Sequence, residues 1–182
     1  MSCLKNAQEI TGISLLDRAF HYGDGCFSTA RVRDGAIELE ALHMARLSLT
    51  CERLKLKVDL SLIQQSLSVL EQQFVQLNGT LKIIISRGDG QRGYHLPDHV
   101  ADVWVFFYPH AVQDFEIQKT KSGVLQQALG LTMPSLVGLK TLNRLEQVLL
   151  KHEANQKDWE EALVTDVQGS VVEGESSNCF IR

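Results

Sequence analysis

The spacing of hydrophobic positions changes several times along this chain, and each change marks an element. From Cys26 to Val32 apolar and polar residues alternate, as in a strand with one buried face, so Phe27, Thr29 and Arg31 share the other face. Arg33-Asp-Gly35 is an Asp-Gly turn, and Ala36 to Leu39 is the expected hairpin partner. From Glu40 the period lengthens. Leu42, Ala45 and Leu49, with Leu47 and Leu54 beside them, predict a helix ending near Leu56. Leu60, Ile63, Leu67, Leu70, Phe74 and Leu77 recur at steps of three and four, predicting a second helix that Asn78-Gly79 ends. Leu81 to Ser86 and Val103 to Tyr108 are β-rich runs around the polar, Gly-rich loop Arg87 to His99.

Pro109 closes this first unit, so residues 1–109 are expected to form a small lobe, with 110–121 crossing to a second one. A strand-like passage leads to Pro134 and a loop to Lys140. Asn143 and Glu146 have capping-box spacing, which predicts a helix burying Leu145, Val148 and Leu149. Glu161 to Thr165 and Ser170 to Val172 flank Asp166-Val-Gln-Gly169 and predict a hairpin. The fold class expected is α+β, a small α/β lobe followed over 122–182 by the start of a β-rich lobe.

Composition narrows the partners. A formal net charge of −4 without a basic stripe argues against nucleic acid. The apolar runs are too short to span a bilayer, and the N-terminus lacks the apolar core of a signal peptide. Cys3, Cys26, Cys51 and Cys179 are scattered, which suits reduced thiols in a cytoplasmic protein rather than a disulfide frame or zinc site.

The candidate chemistry starts with Lys140, in Gly138-Leu-Lys-Thr-Leu-Asn-Arg-Leu-Glu-Gln147 ahead of the predicted helix. The positive end of a helix disfavours an ammonium, and Arg144 acts in the same direction, so a neutral amine able to form a Schiff base is expected there. Glu173 lies in Val171-Val-Glu-Gly-Glu-Ser-Ser-Asn178, on the return strand of the hairpin. Alone, each is an ordinary charged residue. Together they are the amine and the anion that a pyridoxal phosphate (PLP) enzyme needs, because the cofactor supplies the electron sink and the protein tunes it. His43 and Arg46, three residues apart, share a helical face. Arg87-Gly-Asp-Gly-Gln-Arg-Gly-Tyr94 reads as a loop, and it lacks the Lys-Ser/Thr of a P-loop.

From about Asp17 to the C-terminus these motifs resemble the fold-type IV PLP enzymes of the aminotransferase class IV family, and within it most closely the aminodeoxychorismate lyases. The resemblance implies that Lys140 carries the cofactor, Glu173 faces its pyridine nitrogen, Arg46 clamps its phosphate with His43 in support, and Ser176 is a secondary contact. It assigns Glu175 no role. It also implies a C-terminal lobe that is incomplete at Arg182, since the family continues through a segment that helps hold the phosphate. Phe27 would border the substrate cavity where amino-acid transaminases commonly carry Tyr. Gly25-Cys-Phe-Ser-Thr-Ala-Arg31 matches the lyase pattern, in which Thr29 could protonate a departing enolpyruvyl oxygen. Arg92 and Tyr94 would meet a substrate carboxylate, from a loop that in relatives often reaches across a homodimer interface. The implied activity is conversion of 4-amino-4-deoxychorismate to 4-aminobenzoate and pyruvate for folate synthesis. The alternatives are a D-amino-acid or branched-chain aminotransferase of the same fold, and a truncated, non-catalytic remnant acting as a binding or structural protein.

Overall fold

Alternating burial along three long strands builds the first part of the protein. In β3 (Gly25–Arg33) Cys26, Ser28, Ala30 and Val32 are buried; in β5 (Gly79–Ser86) the buried set includes Leu81, Ile83 and Ile85; in β6 (Asp102–Pro109) it includes Val103, Val105 and Phe107. These side chains form one core with two helices, α2 (Glu40–Leu54) and α3 (Ser61–Gln73). The edge-to-face pair of Phe74 and Phe107, with centroids 5.0 Å apart, closes it. The computed structural model describes residues 1–112, 117, 119–125, 134–166 and 168–180. The chain divides into two units, Met1–Asp114 with Leu139–Asn143, and Phe115–Gly138 with Arg144–Arg182.

The sheet of the first unit has six strands in the order β2-β1-β6-β5-β3-β4, where β1 is Ser2–Lys5, β2 is Gln8–Glu9 and β4 is Ala36–Ile37; every pairing is antiparallel. Asp34 and Gly35 both have positive φ, 48° and 82°, which a two-residue hairpin turn requires and an Asp-Gly pair accepts. The expected strands and both helices are therefore present. Two expectations need correction. Leu42 and Leu49 are exposed and α2 buries Leu47, Thr50 and Cys51 instead. Helix α3 stops at Gln73 with Phe74 as its cap, not at Asn78-Gly79. Asn78 serves the hairpin turn, accepting from Asp34 N at 2.7 Å, and Gly79 already belongs to β5.

In the second unit β7 (Ser122–Leu125) runs parallel to β8 (Glu161–Thr165), which pairs antiparallel with β9 (Val171–Gly174). Helix α4 (Leu145–Gln156) packs on this sheet through Leu150 and Ala154, against Leu125, Ala162 and Val164. The expected helix and hairpin are found, but the buried face is not the expected one: Leu145, Val148 and Leu149 are exposed. Nor does a capping box form, because Arg144 occupies the cap position and the Asn143 amide donates to Gly23 O at 3.2 Å. The strand-like passage before Pro134 corresponds to β7 in its first residues, while 126–133 lie outside the described residues, as do 113–116 and 118 of the crossing segment. Among the described residues no helix is long and apolar enough to cross a membrane.

A short helix absent from the sequence-based expectations, α1 (Arg18–Tyr22), starts at Asp17, whose carboxylate accepts from Ala19 N at 2.8 Å. It brings Arg18 to Asp24, and the same Asp24 oxygen accepts from Arg18 Nε and Arg87 Nε, both at 2.8 Å. Burial alone would raise the Asp24 carboxyl, but hydrogen bonds and charge from Arg87 and Arg18 outweigh it and hold it below the usual carboxylate value. A depressed folded-state value contributes stability at neutral pH that disappears as pH falls through it. Asp24→Ala should therefore cost about 3 kcal/mol in urea unfolding near neutral pH, since two largely buried guanidinium groups lose their shared anion. The gap between wild type and variant should narrow as the pH is lowered below the usual carboxylate range and through the depressed folded-state value, where Asp24 protonates in either state. A gap independent of pH would contradict the ion triad.

Candidate active site

The segment carrying Lys140 is fixed by β3. Beyond the short pairing with β4, the first residues of β3 leave an edge open, and residues 140–142 fill it as a one-bridge antiparallel strand between Cys26 and Thr141. Phe27 N donates to Lys140 O at 3.0 Å, and Leu142 N donates to Gly25 O at 3.1 Å. Leu139 and Thr141 are buried on either side of the half-buried lysine. Glycine at position 25 permits this approach: a Cβ there would lie 2.2 Å from Ile85 O and 2.9 Å from Leu142 Cδ1.

Lys140 Nζ lies 4.9 Å from the centroid of the Phe27 ring. Thr29 is exposed two residues further along the same face of β3. Lys82, directly opposite Thr29 on β5, places its own Nζ 5.5 Å from the centroid of the same ring. Three of the expected residues, Phe27, Thr29 and Lys140, thus share one surface, and a second ammonium joins them.

Arg46 belongs to a different group. Its Nη2 donates to Ser28 Oγ at 2.6 Å and lies 3.2 Å from His43 Nδ1, while Ser28 Oγ and His43 Nδ1 are 2.7 Å apart. Burial, then the charge of Arg46, pulls the His43 imidazolium below its ordinary value. Arg46 Nε is buried and has no hydrogen-bond partner, and no carboxylate pairs with this guanidinium among the described residues. Ser28 points to the helix side of β3 and Phe27 to the opposite side, so the arginine and lysine groups flank one strand.

Arg92 and Tyr94 are both exposed, on a loop that buried Arg18 ties down through Nη1 to Gly93 O at 3.0 Å and His95 O at 3.3 Å. The Tyr22 hydroxyl accepts from Gly93 N, and the Tyr22 and Tyr94 rings are 5.5 Å apart. In the second unit Glu173 is half-buried on β9, and its charge acts on Arg144, whose guanidinium burial shifts downward. The Ser176 hydroxyl donates to Glu161 Oε2 at 3.0 Å. Burial would raise the Glu161 carboxyl, but hydrogen bonds led by Ser177 and Ser176 hold it below the usual value. Glu175 is buried beside Lys151 at 2.7 Å.

Sequence reasoning passed over Ser28, Lys82 and Arg18. The alternation of β3 carried a signal for the first: a hydroxyl among core positions needs a buried partner. Arg18 has one near partner, Asp24, but the loop carbonyls it ties down lie 75 and 77 residues away.

The chain belongs to the class IV aminotransferase family, whose model, Amino-transferase class IV, matches residues 25–182. The two-unit arrangement of mixed helices and sheets is the fold-type IV architecture of that family. Among curated relatives the chain is 31% identical over 175 residues to an aminodeoxychorismate lyase of Vibrio harveyi, covering 93% of this chain and 63% of that one. It is 28% identical over 177 residues to a putative branched-chain-amino-acid aminotransferase of Methanocaldococcus jannaschii, covering 93% of this chain and 59% of that one. Among solved structures, a 4-amino-4-deoxychorismate lyase from Pseudomonas aeruginosa matches with a TM-score of 0.83 and 34% identity, over 96% of this chain and 64% of that one. The chain therefore spans a little under two thirds of the length of these relatives.

Gly25→Ala should disturb β3 first against β5, where the added Cβ would meet Ile85 O, and then against the 140–142 strand through the Leu142 side chain. We expect a loss of about 1–3 kcal/mol in urea unfolding, as for overpacking elsewhere, with faster hydrogen exchange at the Phe27 and Leu142 amides. Unchanged exchange at both amides would contradict the docking described here.

Proposed function

We propose that this chain is the greater part of a PLP-dependent lyase that converts 4-amino-4-deoxychorismate to 4-aminobenzoate and pyruvate, supplying folate synthesis. The observation that carries the reading is Lys140 held over Phe27, with the Thr29 hydroxyl on the same strand face. The likeness to two lyases above 30% identity supports the same choice.

The residues present fit the cofactor. Arg46 offers a buried Nε without a partner and a guanidinium that no carboxylate pairs with among the described residues, which suits a phosphate. Lys140 would hold the cofactor through its amine, Arg46 through its phosphate and Glu173 at its pyridine nitrogen, with Ser176 as a secondary contact. When bound, PLP supplies the electron sink that stabilises negative charge on the substrate carbon next to the amine. Once the substrate's own amine takes its place on the cofactor, the freed Lys140 Nζ would act as general base and take the proton from that carbon. Thr29 Oγ1 donates a proton to the departing enolpyruvyl oxygen, and the six-membered ring becomes aromatic as that group leaves. Phe27 packs against the substrate ring, while Arg92 and Tyr94 receive a carboxylate. Their exposed loop suits a homodimer in which it faces a second copy, and the unpaired cysteines among the described residues suit the cytoplasm.

An aminotransferase would use the same lysine, and the Methanocaldococcus jannaschii relative keeps that alternative in view. The two reactions part after proton removal: a lyase would expel a group from the substrate, whereas a transaminase would transfer its amino group. Pyruvate release from 4-amino-4-deoxychorismate, measured by a coupled assay, is the expected result. Amination of 2-oxo acids without pyruvate release would overturn the lyase assignment. Thr29→Val should cut pyruvate release by roughly 10²–10⁴-fold with PLP binding intact, as for loss of a general acid. An undiminished rate would remove Thr29 from the mechanism.

A further inference from the structure

The hydrogen bonds around Arg46 carry an assignment beyond its charge. Ser28 is fully buried among Cys26, Ala30 and Val32, where a hydroxyl needs partners. It finds two: it accepts from Arg46 Nη2 at 2.6 Å and stands 2.7 Å from His43 Nδ1. That nitrogen faces two donors, the Ser28 hydroxyl and Arg46 Nη2 at 3.2 Å, so it is the acceptor of the ring and the proton sits on Nε2. His43 orients the serine hydroxyl toward itself, which turns the serine lone pairs to Arg46. The arginine is thereby held by one terminal nitrogen, and its buried Nε is left without a partner.

A buried guanidinium N–H without an acceptor costs free energy in the folded chain. An acceptor of the dianionic phosphate-monoester type would satisfy it. We propose that Ser28 and His43 are positioning residues for Arg46, holding its Nη2 so that Nε is presented to the phosphate of PLP. The assignment rests on the phosphate role given to Arg46 above and adds the serine and the histidine to it. Preorganising the donor removes the side-chain ordering that phosphate binding would otherwise have to accomplish.

The test compares PLP with pyridoxal, which lacks the phosphate, by absorbance titration of the full chain. Wild type should prefer PLP. Ser28→Ala should lower PLP affinity about tenfold and leave pyridoxal affinity unchanged, the size expected for losing one hydrogen bond to a charged group. Ser28→Ala combined with Arg46→Ala should bind PLP no more weakly than Arg46→Ala alone, because the serine acts through the arginine. His43→Asn, which retains an acceptor near the Nδ1 position, should bind PLP better than His43→Leu. If Ser28→Ala does not fold, this half-exposed histidine pair decides the matter alone. Equal weakening of PLP and pyridoxal, additivity with Arg46→Ala, or equal binding by His43→Asn and His43→Leu would each overturn the proposal. Separately, Arg46→Ala that keeps the wild-type preference for PLP would show that the phosphate role of Arg46 has failed, and the positioning role with it.

Discussion

Two backbone hydrogen bonds, Phe27 N to Lys140 O and Leu142 N to Gly25 O, hold the lysine segment on the open edge of β3, and the candidate chemistry depends on them. A lysine in a loop has many rotamers and a wandering backbone; here the backbone is strand-paired and only the side chain remains to be placed. The ring of Phe27 then gives that side chain a surface to lie on. The pairing is possible because β4 covers only Val32 and Arg33, and because residue 25 has no side chain to block it. A local vacancy in one sheet thus positions a residue more than a hundred positions later in the chain.

Buried charge organises the rest of the first unit. Asp24 collects Arg18 and Arg87; Arg87 Nη1 and Nη2 donate to Lys55 O and Leu54 O at the end of α2, and Arg18 Nη1 donates to Gly93 O and His95 O of a loop. Each guanidinium has a carboxylate and backbone acceptors, which is the condition under which burying it is tolerable. Arg46 differs, with a buried donor and no acidic partner among the described residues. That contrast, two arginines paired with a carboxylate and one without, is what the proposed phosphate role of Arg46 rests on.

The sequence made the regular elements readable where periodicity was strong. The alternation in β3 correctly separated Phe27 and Thr29 from the core positions, and the three-four rhythm from Leu60 to Leu70 marked α3. It misjudged which faces are buried. Helix α2 carries apolar residues around more than half its circumference, so Leu42 and Leu49 competed with Leu47 and Cys51 until β3 selected the latter. In α4 small Ala154 lets the helix approach β8 closely, and the bulkier Leu145, Val148 and Leu149 point elsewhere. Strand β1 and helix α1 were missed because their partners are far along the chain: Leu4 pairs with Val105, and Arg18 with the loop at Gly93. The lysine, arginine and glutamate candidates were legible as motifs, and so was the pairing of His43 with Arg46, whereas the Ser28 hydroxyl between them depends on how α2 packs on β3.

The central claim is that Lys140 is the amine that carries PLP, and one measurement addresses it directly. The full chain would be incubated with PLP, reduced with borohydride, digested and mapped by mass spectrometry. The account predicts the reduced cofactor on the peptide containing Lys140, with no such adduct in Lys140→Ala. Its appearance on Lys82, the other ammonium beside Phe27, or on any other lysine would contradict it.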